Sequence, residues 1–96
     1  MVSATILSEF LIVAQEDPRI TTSHISVFVT LIHVWSDGGC QNPIAIKSKT
    51  IMEFAKISST ATYHKCIKDL HDFGYIKYQP SHDYFSGSLV FFNRLT

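Results

Sequence analysis

Residues 58–80 have the sequence SSTATYHKCIKDLHDFGYIKYQP, which contains the signals of a capped helix, a glycine stop and a following strand. At about 100° per residue, an apolar stripe lies opposite a polar face, as in a helix with one buried side. Ser58 and Ser59 offer hydroxyls to the free N–H groups of the first turn, and Gly74 stands where helices often end in the left-handed conformation. The stripe comprises Tyr63, Cys66, Ile67, Leu70 and Phe73, and the opposite face Ala61, Lys65, Lys68 and Asp72.

The residues after Gly74 predict a β-hairpin. Residues 75–78 alternate in polarity and are rich in strand formers, residues 80–87 are rich in turn formers, and residues 88–92 are again apolar. We therefore expect a C-terminal two-stranded β-hairpin wing.

The residues before the capped helix predict its partner. Residues 48–55 have the pattern of a short helix, and residues 56–58 form a turn into the longer one. A short helix, a tight turn and a longer helix beginning with small polar residues predict a helix-turn-helix. Residues 44–46 predict a small strand that is able to pair with the hairpin. The residues expected to face inward on the short helix are Ile51, Met52, Phe54 and Ala55.

Residues 3–15 predict an N-terminal helix with Ser3 as its cap. Its apolar arc is wider than one packing stripe needs, and two interpretations remain: packing on a neighbouring helix, or a subunit interface. The arc comprises Ile6, Leu7, Phe10, Leu11 and Ala14, widened by Ile12 and Val13.

Residues 23–37 predict a second helix, capped within residues 21–23, that is apolar on all sides and therefore central. Its β-branched residues also permit a strand, but its length and the closing Asp-Gly-Gly favour a helix. His24 and His33 lie on it without a second ligand at a suitable spacing, so we expect hydrogen-bonded structural histidines.

Length and composition predict one domain, residues 1–96. The chain has 96 residues, of which 46% are hydrophobic and 17% charged. We expect an α+β fold, mostly α, with an N-terminal helix in residues 1–20 and the remaining elements in residues 21–96. The two cysteines suit a reducing compartment, and neither a leader nor a membrane span is indicated, so we expect a cytoplasmic protein.

The formal charge is zero but unevenly distributed. Residues 1–40 contain one arginine and four carboxylates, a net charge of −3, whereas residues 41–79 contain six lysines and three carboxylates, a net charge of +3. A neutral chain can thus present a modest basic face to nucleic acid.

Residues 23–93 resemble the bacterial winged helix-turn-helix transcriptional regulators. The likeness is carried by SKTIMEFAKISSTATYHKCIKDLHDFGYIKY, residues 48–78. More narrowly, NPIAI, ATYHKCIKDL and GYIKYQPS look like segments of small winged-helix proteins of mobile elements such as conjugative transposons. The resemblance implies sequence-specific binding of double-stranded DNA by a small transcriptional regulator or mobile-element accessory protein. The alternative is a winged-helix protein-interaction module without direct DNA binding.

In a helix-turn-helix, the N-terminal part of the second helix enters the major groove. Lys65 is placed to donate to guanine O6 and N7, and Ala61 to touch a thymine methyl. The helix N-terminus suits phosphate, and residues on the hairpin, including Ser86, are placed to reach the backbone or minor groove. The full set of predicted DNA-binding residues is Lys47, Lys49, Ser59, Thr60, Ala61, Thr62, His64, Lys65, Lys68, Lys77, Ser81 and His82.

We expect neither an enzyme nor a cofactor or metal site. Asp69 and Asp72 are interpreted as solvated surface residues. His64 and His71 share a helix side but lack a third ligand. The modest charge and the surplus apolar surface instead predict a homodimer, formed through the first or the second helix.

Overall fold

In this computed structural model, which describes residues 2–80 and 87–93, helices and short strands alternate along the chain. The fold is α+β and mostly helical, as predicted, and the observed bounds lie within about one residue of the predicted ones. The prediction that Ser3 caps the first helix was wrong, because this helix already includes Ser3. The elements are α1 (Val2–Gln15), α2 (Thr22–Asp37), β1 (Ile44–Ile46), α3 (Ser48–Ala55), α4 (Thr60–Asp72), β2 (Ile76–Gln79) and β3 (Ser88–Phe92).

The sheet differs from the predicted two-stranded wing. It has three antiparallel strands in the order β1-β3-β2, with Ile44 and Tyr78 on either side of Val90. The two-stranded prediction was therefore wrong, because β1 covers the edge of β3 that a simple hairpin leaves open. Ile44 and Ile46 are buried while Ala45 between them is exposed, so burial of alternate side chains fixes the register of β1.

Both predicted ends of α4 are confirmed. Ser59 is the N-cap, and its hydroxyl accepts a hydrogen bond from the Thr62 N–H at 3.2 Å. Beyond the last turn, Gly74 has a φ of 89°, in the left-handed region, and its N–H donates to the His71 carbonyl at 3.1 Å. The chain then turns directly into β2.

The core is built around α2, as predicted for a helix that is apolar on all sides. It packs against α1, α3, α4 and β1. The Phe28 ring stacks on Phe10 of α1 with ring centroids 3.8 Å apart, and the Phe10 and Tyr75 rings form a T-shaped pair with centroids 5.3 Å apart. These aromatic contacts join α1, α2 and the start of the hairpin.

Two side chains near α3 depart from prediction. Phe54, expected to face inward, is 60% exposed, because the contact side of this short helix centres on Ile51 and Ala55. His33, expected to be a hydrogen-bonded structural residue, is exposed, and its ring lies 5.1 Å from that of Phe54. The two rings therefore lie against each other at the surface, outside the buried contact of α2 with α3.

The loop between α1 and α2 is fastened to the turn after α4 by four side chains, here called the Asp17 network. The Asp17 carboxylate accepts two hydrogen bonds from the Arg19 guanidinium, each 2.9 Å, and one from the Tyr75 hydroxyl at 2.8 Å. The guanidinium also lies 4.0 Å from the centroid of the Phe73 ring. The Arg19 hydrogen bonds hold the pKa of Asp17 well below its usual range, while burial and the Asp17 contact raise the pKa of Tyr75 to about 12.

Part of the apolar surface of α1 remains uncovered. Phe10 and Ala14 are buried, but Leu11 is 44% and Ile12 65% exposed. None of the described helices has the length and hydropathy needed to cross a bilayer.

Candidate nucleic-acid interface

A tight turn sets α4 beside α3. Lys56 ends α3 in the left-handed conformation, with φ 62° and ψ 38°. The Ile57 N–H then donates to the Met52 carbonyl at 3.0 Å, and Ser59 caps the next helix. The connection is thus short enough for α3 and α4 to form one helix pair.

The first half of α4 projects from the core. Of residues 59–65, six are exposed, and Tyr63 is the exception at 2% exposure. Burial raises the pKa of the Tyr63 hydroxyl, so this side chain remains a neutral anchor. The exposed set combines small hydroxyl-bearing residues with a methyl group, an imidazole and an ammonium group: Ser59, Thr60, Ala61, Thr62, His64 and Lys65.

All of the predicted DNA-binding residues that the structure describes are exposed. Lys47 and Lys49 lie at the start of α3, Lys68 on α4 and Lys77 on β2. The Lys77 ammonium also lies 5.5 Å from the centroid of the Phe91 ring. The hairpin predictions at Ser81, His82 and Ser86 fall outside the described residues.

The charge on α4 itself is balanced. Lys65 and Lys68 are matched by Asp69 and Asp72, all on the same helix. Lys49 and Glu53 balance each other on α3, so the positive excess of this part of the chain comes from Lys47, Lys56 and Lys77, in the turns and on β2. A polyanion that bound here would have to contact more than one element.

Asp69 is not the solvated surface residue that was predicted. Its side chain is 17% exposed, and its Oδ2 atom lies 2.8 Å from the Lys65 ammonium and 2.9 Å from His24 Nε2. These two contacts, Lys65 foremost, lower the pKa of Asp69, and the Asp69 contact raises the pKa of Lys65. His24 is thus the hydrogen-bonded structural histidine that was predicted. The sequence did not predict that its partner is Asp69 on α4.

The two histidines of α4, His64 and His71, have different surroundings. His71 Nδ1 accepts the Tyr78 N–H at 3.0 Å, which links α4 to β2, whereas His64 is exposed. Among the residues described, no group of three or more His, Cys, Asp or Glu is arranged to hold a metal ion.

A second exposed feature lies on the outer side of α2 and α3, where Phe54, His33 and Val29 form what we call the Phe54 patch. Phe54 is 60% and Val29 42% exposed, and Val29 and His33 are neighbours one helical turn apart. A shallow groove of about 310 Å³, lined by Glu53, Phe54 and Lys56, adjoins the patch. The sequence pattern missed this surface because Phe54 was assigned to the core.

Comparisons of the chain with protein-family models, curated proteins and solved structures find no match.

Proposed function

We propose that this chain is a winged helix-turn-helix protein that binds double-stranded DNA in a sequence-specific manner. In this proposal α3 and α4 form the helix-turn-helix, and the strands β2 and β3 belong to the wing. The observation that carries the proposal is the exposed first half of α4, where only Tyr63 turns into the core between residues 59 and 65. That end of the helix is free to enter a major groove.

Each part of this surface has a matching chemistry on DNA. The α4 N-terminus and the hydroxyl groups of Ser59 and Thr60 suit phosphate oxygens. The Ala61 methyl suits the thymine methyl group, and the Lys65 ammonium suits the O6 and N7 acceptors of guanine. The lysines on α3 and β2 supply contacts to the backbone that set the register without reading sequence.

The likeness of residues 48–78 to bacterial winged helix-turn-helix regulators favours a role as a small transcriptional regulator or mobile-element accessory protein. The zero net charge favours moderate affinity. If about four lysines contact phosphates, the logarithm of the binding constant should fall with the logarithm of salt concentration with a slope of about −3 to −4.

The proposal is tested by selecting bound duplexes from a random DNA pool and measuring their affinity over a range of salt concentrations. A shared sequence motif and the expected salt slope would support it. Recovery of no motif, together with no salt-dependent binding to any duplex, would overturn it.

Two lysine variants sharpen this test. Lys65→Ala should cost about 1–3 kcal/mol of binding free energy on the selected site and should relax its sequence preference. Lys68→Ala should weaken binding to all sequences alike, because a phosphate contact carries no sequence information. Equal affinity of the wild type and the double variant at low salt would contradict the assignment of this helix.

The second candidate function is a protein-interaction module, and the Phe54 patch favours it. An exposed phenylalanine beside an exposed valine and histidine suits an apolar contact with another protein. Binding through this patch should change little with salt, whereas binding to DNA should weaken steeply. Loss of partner binding in Phe54→Ser with DNA affinity unchanged would establish this function.

We also propose that two copies associate. The exposed Leu11 and Ile12 on α1 favour association, since burying them in a subunit contact removes apolar surface from water. A symmetric pair would place two α4 helices on one duplex and double the number of phosphate contacts.

A further inference from the structure

A chain of hydrogen bonds runs from the start of α2 to the exposed face of α4. The Thr21 N–H donates to His24 Nδ1 at 2.9 Å, and the Thr21 hydroxyl lies 2.8 Å from the same atom. On the other side of the ring, Nε2 lies 2.9 Å from Asp69 Oδ2, and that oxygen also accepts a hydrogen bond from the Lys65 ammonium at 2.8 Å. One carboxylate oxygen thus joins a residue 45 positions away to the lysine that is proposed to read a base.

The hydrogen-bond directions fix the state of the ring. Because His24 Nδ1 accepts the Thr21 N–H, the ring proton lies on Nε2 and is donated to Asp69. In this neutral form the imidazole orients the carboxylate without cancelling its charge. Lys65 is then the cation that balances Asp69.

Exposure increases stepwise along the chain of contacts. The side chains of His24, Asp69 and Lys65 are 6%, 17% and 75% exposed. The buried imidazole is held by the cap of α2, so the position of Asp69 depends on the core. Asp69 in turn holds the ammonium group of Lys65 at the surface.

We propose that His24 and Asp69 are positioning residues for Lys65, which discriminates between bases because Asp69 holds its ammonium in one place. This inference rests on the proposed DNA-binding function and deepens it. A free lysine is a flexible point charge that suits any phosphate. An ammonium with one N–H directed to Asp69 keeps two donors for a pair of base acceptors in a defined direction.

Lys68 and Asp72 provide internal comparisons on the same helix. Both are exposed, and neither has an ion pair in the described part of the chain. Removing the carboxylate of Asp69 or that of Asp72 takes one negative charge from the neighbourhood of the DNA, which should strengthen binding to every duplex. Only the loss of Asp69 should also release Lys65.

The experiment measures the ratio of affinities for the selected duplex and a scrambled duplex of the same length, using the full chain. Asp69→Asn keeps the shape and one acceptor oxygen, and it should lower this ratio about tenfold, within the range that one base contact supplies. Asp72→Asn is the matched control and should raise both affinities while leaving the ratio unchanged. In a Lys65→Ala background, Asp69→Asn should produce no further loss of discrimination, because the two residues act as a unit.

Equal ratios in the wild type, Asp69→Asn and Asp72→Asn would overturn the inference, as would a further loss in the Lys65→Ala background. Absence of DNA binding by the wild-type chain would instead remove the proposed function, and this is seen before any variant is compared.

A second measurement needs no substitution and covers the case in which Asp69→Asn does not fold. In the free wild-type protein, nitrogen-15 relaxation should show slower reorientation of the Lys65 ammonium group than of the Lys68 ammonium group. Equal reorientation of the two groups would overturn the inference.

Discussion

Gly74 and Lys56 each follow a helix in the left-handed region, with φ of 89° and 62° respectively. Glycine adopts this conformation without steric cost, whereas lysine adopts it only with strain. A Cβ atom at Gly74 would meet nothing within 4 Å, so the effect of a substitution there comes from the backbone alone. These two positions separate conformational strain from packing.

Gly74→Val should lower the free energy of unfolding by about 1–3 kcal/mol, since a β-branched residue is strained at positive φ. The change is read from urea unfolding followed by circular dichroism. A variant as stable as the wild type would show that the chain reaches the same turn without a positive φ at this position.

The matched control is the reverse change, Lys56→Gly. It should raise the free energy of unfolding by about 0.5–1 kcal/mol, because relief of the left-handed strain exceeds the extra entropy of glycine in the unfolded chain. Opposite signs for the two variants are the expected result.

Among the elements, the Asp17 network holds the loop after α1 against the turn at the end of α4. Asp17 in the loop contacts Tyr75, which lies 58 residues further along the chain. Arg19 in the same loop contacts the Phe73 ring. The same turn leads into β2, so the network ties the N-terminal part of the fold to the hairpin.

Asp17→Asn should therefore lower the free energy of unfolding at pH 7, and the deficit should shrink in acid. Folding lowers the pKa of Asp17 below its value in the unfolded chain, about 3.9, so the stabilisation is complete above that pH. It is lost as the pH falls below about 4 toward the lowered folded value. Urea unfolding at pH 7, 4 and 2.5 measures the effect.

The control for this prediction is Asp37→Asn, which removes an exposed carboxylate that has no ion pair among the described residues. Its effect at pH 7 should stay within about 0.5 kcal/mol. A deficit of Asp17→Asn that persisted unchanged at pH 2.5 would show that the loss comes from packing and not from charge.

At the scale of the whole molecule, charge and exposed apolar surface are distributed differently along the chain. The predicted DNA-binding residues up to Lys77 all belong to residues 41–79, whose net charge is +3, whereas α1 and α2 belong to residues 1–40, whose net charge is −3. Association through α1 would use residues separate from those proposed to bind DNA.

Ile12→Glu should convert a dimer into a monomer, since it places a charge at the centre of the proposed contact. In sedimentation equilibrium at micromolar concentration, the wild type should approach twice the chain mass and the variant should sediment as a 10.9 kDa species. The site selected by the wild type should be an imperfect palindrome, with half-sites about 34 Å apart.

Val29→Glu decides between α1 and α2 as the contact, because Val29 is the large apolar residue of α2 that is left exposed among those described. It should leave the association intact. A monomeric wild type with a non-palindromic site would remove the dimer, and a monomeric Val29→Glu beside a dimeric Ile12→Glu would move the contact to α2.

The amino-acid sequence determined the local structure of this protein. Ser59 marks the start of α4 and Gly74 its end because hydroxyl capping and positive φ are properties of single residues and their immediate neighbours. The exposed and buried sides of α4 follow in the same way from its period. The exposure of the predicted DNA-binding residues on α4 therefore follows from the sequence.

Tertiary structure alone decided which distant residues meet. The choice of β3 rather than β2 as the partner of β1, the contact of His24 with Asp69 and the outward position of Phe54 each depend on how the elements pack. The hydroxyl residues at 21–23 indicate a cap, but they predict neither that His24 takes part in it nor that its ring contacts a carboxylate on α4. The pattern of one helix specifies which side is polar, but whether a polar residue on that side meets water or a partner depends on the neighbouring helix.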